Sequence, residues 1–279
     1  MNKKLLALFA LKYNPFAPEV PTSALFVSPA IESFCWRIEN QVGEGGFAMA
    51  VGEPGTGKSV ALRILAERLS ALRDVTVGIL SRPQASVADF YREMGDLFGV
   101  PLSPHNRWNG AKALREKWQA HIESSLYRPV LMIDEAQEMN SAVFCELRLL
   151  SSSDLDARSI LSVILAGDSR LGDRLGHVDL LPIASRIRAR LRTEPASPQQ
   201  LRQSLEHLLK EAGNPRLMSA PLIATLCEHA AGNYRLLMNM ANELLALGMQ
   251  REVDQLDEKL FFEAFDPQAA ASSKRKRKS

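Results

Sequence analysis

Between Gly52 and Ser59 the chain reads Gly-Glu-Pro-Gly-Thr-Gly-Lys-Ser, the G-x-x-x-x-G-K-[ST] spacing of a loop that wraps phosphate. Each residue type has a chemical reason. Gly52, Gly55 and Gly57 free the backbone to turn successive N–H groups inward, with Glu53, Pro54 and Thr56 carrying the loop between them. Lys58 brings a mobile ammonium to the outer phosphates, and the Ser59 hydroxyl has the reach to ligate Mg²⁺. Val60 continues into a run with apolar residues at Ile64, Leu65 and Leu69, a helix whose positive end would face the same anion. Further along, the apolar run Val130-Leu-Met-Ile133 ends in Asp134-Glu135. An acidic pair there is either a solvated strand end ahead of a helix or the partner of a cation. In the second reading Asp134 serves Mg²⁺, directly or through water, and Glu135 serves an attacking water.

These residues need strands and helices in alternation to bring them together. Apolar runs at 47–51, 75–80, 130–133 and 160–165, with a short fifth run near 191–194, read as strands. Helical periodicity falls at about 29–42, 58–69, 86–98, 110–126, 141–151 and 171–181, the last with a break at Gly176. That alternation implies an α/β fold, a P-loop three-layer parallel sheet. From Ser197 the texture turns all-helical, with segments at about 198–212, 219–231, 233–248 and 255–265, and Gly213, Gly232 and Gly248 read as stop signals. The expected division is a 1–45 N-terminal extension and helix, a 46–196 nucleotide-binding domain, a 197–266 helical lid, and a disordered basic tail over 267–279.

Composition fits a soluble globular chain: 279 residues, 46% hydrophobic, 24% charged, net charge +2. Five of the positive charges are Lys274, Arg275, Lys276, Arg277 and Lys278, so the rest is slightly acidic and attraction to nucleic acid must come from the tail or from local patches. Three scattered cysteines, Cys35, Cys145 and Cys227, suit a reduced compartment. No run is long enough to span a bilayer. A cytoplasmic protein without membrane insertion is expected.

The phosphate loop at 52–59 and the acidic strand end at 130–135 resemble the Walker A and Walker B motifs of AAA+ ATPases. Tyr13-Asn-Pro-Phe16, Leu25-Phe-Val-Ser-Pro29 and Gly46-Phe47 narrow the resemblance to the ExeA/GspA-like branch, close to the transposition helper ATPases TniB, TnsC and MuB. The resemblance implies ATP and Mg²⁺ as cofactors and a helical lid. It places sensor 1 at Asp168 or Ser169, although that position usually holds Asn, Thr or Gln. It places a sensor-2 arginine at Arg235, within Gly232-Asn-Tyr-Arg235. It also implies an arginine finger acting on the neighbouring subunit's nucleotide, best matched by Arg186, with Arg188 and Arg190 as alternatives in an every-second-residue row that could equally be a solvated basic edge. The implied assembly is a homo-oligomer, ring or filament, acting with duplex DNA and a transposase. The competing implication is a secretion-associated ATPase that drives assembly of a membrane complex.

Overall fold

The computed structural model describes residues 3–80, 82–101, 107–154 and 157–265. Two compact units divide the described residues: Val27–Glu53 with Gly57–Thr193 forms one, and residues 3–26, the loop tip Pro54–Thr56 and residues 194–265 form the other. The first helix, α1 (Lys3–Leu8), belongs to the second unit.

The first unit opens with α2 (Pro29–Gln41), where Ser28 Oγ accepts the Ile31 N–H and proline fills the first turn, as the Ser-Pro pair predicts. Next come β1 (Gly46–Gly52), α3 (Lys58–Ala71), β2 (Val77–Leu80), α4 (Val87–Phe98), α5 (Arg107–Ser125) and β3 (Val130–Ile133). A 3₁₀ turn over Ala136–Glu138 leads to α6 (Ser141–Leu150) and then to a two-residue hairpin, β4 (Ser152–Ser153) with β5 (Arg158–Ser159), that hydrophobic periodicity is too short to reveal. The unit closes with β6 (Ser162–Gly167), α7 (Ser169–Leu175), α8 (Leu181–Ala184) and β7 (Ile187–Thr193).

The five long strands form one parallel sheet in the order β2-β3-β6-β1-β7. β3 and β6 are interior strands and are buried at every position, which is why they read as unbroken apolar runs. Because β6 lies between β1 and β3 and all strands run the same way, the ends of these three meet at one edge of the sheet, the place where open α/β sheets bind ligands. Helices surround the sheet, and Phe90, Met94, Trp118, Leu131, Phe144 and Leu165 lie in its core.

Three sequence expectations are corrected here. The fifth strand starts at Ile187 rather than near Leu191, so Arg188, Arg190 and Arg192 lie within it, exposed, while Ala189 and Leu191 turn inward. β6 is shifted to 162–167. The helix through Gly176 resolves into α7, a 3₁₀ turn at Val178–Leu180 and α8 with a proline in its first turn.

The second unit contains α9 (Pro198–Glu211), α10 (Ala220–His229), α11 (Tyr234–Arg251) and α12 (Glu258–Phe265), packed with α1 around Phe9, Leu205, Leu222, Leu237, Leu244 and Phe261. Ser197 closes a capping box with Gln200 at the start of α9. Gly248 does not stop α11, which continues to Arg251. A Cβ there would stand 2.3 Å from Leu256 Cδ2, so this glycine serves close packing inside a helix. The basic tail lies outside the described residues.

Candidate nucleotide site

β1 delivers Gly52 to the edge of the sheet, and α3 begins six residues later at Lys58 with Gly57 as its N-cap at φ +104°. Gly55 also has positive φ, +83°, so two of the three glycines hold conformations that a Cβ opposes. Nothing stands within 4 Å of a Cβ built at Gly57, leaving the loop open above the helix end. The Lys58 side chain is buried, and its ammonium donates to the carbonyls of Gly52 at 2.6 Å and Glu53 at 3.0 Å. The cation thus sits inside the curve of its own loop.

β3 delivers the acidic pair. Ser59 Oγ donates to Asp134 Oδ2 at 3.3 Å, and the Glu135 N–H donates to Asp134 Oδ1 at 2.9 Å. A hydroxyl from the first turn of α3 and a carboxylate from the end of β3 form an oxygen donor set that suits a hard divalent cation. Glu135 is exposed and sits in the left-handed region, φ +52°. Such a backbone costs of order 1–3 kcal/mol for a residue with a Cβ and tends to occur at functional sites. Its carboxylate accepts from Gln137 Nε2 at 2.5 Å.

β6 delivers Asp168. Its carboxylate caps α7 through the Arg170 N–H at 2.9 Å and is clasped by the Arg170 guanidinium at 2.7 Å. Those hydrogen bonds from Arg170 hold the carboxyl below its ordinary value, and the charge of Lys58 pulls it the same way. Ser169 is the exposed first residue of α7.

Arg186 follows α8 immediately before β7, and its guanidinium donates to the Pro182 carbonyl. Burial first, then the charge of Arg148, lowers its pKa. Arg188 is paired with Glu44 at 2.9 Å beside a register shift between β1 and β7, while Arg190 reaches the Ala184 carbonyl at 3.3 Å. Arg235 is exposed in the first turn of α11.

Two residues at the site escape sequence reasoning. Gln137 is one. Asn233 is the other: it caps α11 by accepting the Leu236 N–H and donates to the Pro54 carbonyl at 3.1 Å, while the Tyr234 N–H donates to the Gly55 carbonyl at 2.9 Å. These contacts lie within the second unit, to which the loop tip belongs. An Asn ahead of a helix is an N-cap signal, but nothing local to the sequence indicates what its amide will touch.

A family model described as an AAA domain matches residues 40–175. The parallel five-stranded sheet with surrounding helices matches P-loop AAA+ folds, as superposition on solved structures shows. The chain superposes on Cdc6p from Pyrobaculum aerophilum with a TM-score of 0.67 at 15% identity, covering 87% of this chain and 67% of that one. It superposes on the Aeropyrum pernix ORC1 protein, solved in complex with DNA, with a TM-score of 0.67 at 17% identity, covering 90% of this chain and 67% of that one. At those identities the likeness concerns the fold alone. Among curated sequences the chain is similar to general secretion pathway protein A of Aeromonas hydrophila, 28% identical over 199 residues that make up 70% of this chain and 36% of that protein. It thus spans about a third of that relative's length. No helix among the described residues is long and apolar enough to cross a membrane.

Proposed function

We propose that this chain is a Mg²⁺-dependent ATPase of AAA+ type, working as a nucleotide-controlled switch that assembles with copies of itself on duplex DNA and assists a transposase. The observation that supports its ATPase part most is the convergence of Lys58 and Ser59, at the start of α3, with Asp134 and Glu135, at the end of β3; the DNA and transposase part rests on the resemblance noted above. In this reading the backbone from Gly52 to Val60 encloses the phosphates, and Lys58 exchanges its loop carbonyls for phosphate oxygens. Ser59 and Asp134 hold Mg²⁺, which supplies charge neutralisation at the phosphates. The exposed Glu135 carboxylate orients and deprotonates water. Asp168 or Ser169 senses the outer phosphate, Arg235 takes the sensor-2 role, and Arg186 serves the site of the neighbouring copy with a planar cation suited to charge spread over phosphate oxygens.

A second reading, a secretion-associated ATPase that drives assembly of a membrane complex, is favoured by the similarity to general secretion pathway protein A. One experiment separates the two: electron microscopy and sedimentation of Glu135→Gln with ATP, with and without duplex DNA. Ordered assemblies that need both ATP and DNA support the first reading. Assembly indifferent to DNA, with no measurable DNA affinity, overturns its DNA half and favours the second.

A further inference from the structure

Gln137 has no part in the machinery described so far, yet it is 4% exposed and both ends of its amide are engaged. Its Oε1 accepts the main-chain N–H of Asp168 at 3.2 Å, and its Nε2 donates to Glu135 Oε2 at 2.5 Å. The orientation is forced, because a backbone N–H can only meet an acceptor; the amide oxygen must face Asp168 and the NH₂ must face Glu135. The surroundings fix the amide further. A Cβ at Gly167 would lie 2.3 Å from Gln137 Oε1, so the close approach depends on that glycine. The carbonyl of Gln137 in turn accepts from the Arg174 guanidinium, which lies 5.5 Å above the Phe144 ring.

We infer that Gln137 is a positioning residue: it fixes the Glu135 carboxylate for attack on ATP by water and ties it to the carboxyl end of β6. The inference rests on the ATPase reading above. A free glutamate on an exposed turn samples many rotamers, and a carboxylate must be ordered before it can direct a water. With Oε2 held by the buried amide, Oε1 is left to face water. The same amide, through the Asp168 N–H, links the base to the end of β6.

The test uses the full chain and three variants. Gln137→Met keeps length and loses both hydrogen bonds, Gln137→Glu keeps an acceptor for the Asp168 N–H but loses the donor to Glu135, and Gly167→Ala sets a Cβ against the amide oxygen, with Leu171 the next neighbour at 3.1 Å. For the two Gln137 variants kcat should fall roughly 10- to 100-fold with the KM for MgATP and nucleotide affinity within about twofold, the scale of losing a hydrogen bond to a charged group. Gly167→Ala should fall in the same direction and combine non-additively with Gln137→Met. Without nucleotide, exchange of the Asp168 amide should be faster in Gln137→Met than in Gln137→Glu, and the side-chain amide resonance of Gln137 should move in Glu135→Gln. Wild-type kcat in both Gln137 variants, a raised KM at unchanged kcat, or an unmoved Gln137 resonance overturns the inference. If instead Glu135→Gln hydrolyses ATP at the wild-type rate, the ATPase reading itself fails and the inference with it.

Discussion

At the scale of single residues, the site pairs groups by charge and by the hydrogen bonds that each can make. Lys58→Ala removes a phosphate contact and should abolish ATP binding, whereas Glu135→Gln should bind ATP and fail to turn it over; nucleotide anisotropy together with phosphate release distinguishes the two defects. Asp168 carries a pH dependence with a defined sign. Hydrogen bonds from Arg170 lower its carboxyl from 3.8, so the stability it lends through the α7 cap is present above that ordinary value and is lost as pH falls through the depressed folded value. Arg170→Ala should let the folded value return towards 3.8. Melting midpoints should then be lower than wild type near neutral pH and fall less as the pH drops below 3.8, so that the two profiles converge in acid; superimposable profiles would count against the clasp.

At the scale of elements, propensity and packing disagree most plainly in α11. Gly248→Ala should gain up to about 1 kcal/mol of helix propensity, yet its Cβ would press on Leu256 in a fully buried position. Overpacking of this kind costs roughly 1–3 kcal/mol. The expected net result is a loss of stability, read as a lower denaturant midpoint; a higher midpoint would mean that Leu256 gives way freely. The same conflict explains why a glycine that looks like a helix stop lies inside a helix. β7 teaches a related lesson, because Arg188, Arg190 and Arg192 disguise a strand whose inward residues, Ala189 and Leu191, are small in number and modest in size.

At the scale of the molecule and its assemblies, the question is whether the reaction is completed inside one chain. If Arg186 serves the neighbouring copy, Arg186→Ala should bind ATP but lose turnover by roughly 10³- to 10⁵-fold. Mixed with Lys58→Ala, which keeps an intact Arg186, it should regain part of the activity that neither has alone. No rescue in mixtures shown to co-assemble would sink the trans assignment, and rescue by Arg190→Ala in its place would move the role along β7. The DNA half of the reading has its own readout. Deleting residues 273–279 removes five positive charges and should lower the slope of log affinity against log salt by up to about 4 to 5; an unchanged slope would leave the tail without a role in binding.

The sequence by itself determined whatever depends on local chemistry. Glycine, lysine and serine at fixed spacing mark the candidate phosphate loop, unbroken apolar runs define the central strand β6 and its neighbour β3, and Ser28, Ser86 and Ser197 stand at helix starts, where the structure uses them as caps. Alternating strands and helices were enough for the parallel α/β fold, because only a crossover helix returns a strand in the same direction. What depends on pairing between distant segments only the tertiary structure decided. The order that sets β6 between β1 and β3 places Asp168 beside Gln137, and thereby an ordinary glutamine against Glu135. The grouping of the first 26 residues with the C-terminal helices rests on Leu5, Phe9 and Phe16 entering their core, side chains whose periodicity shows that they are buried but not against which partner. Periodicity reports burial one segment at a time; which buried faces meet is settled only when all of them compete for the same interior.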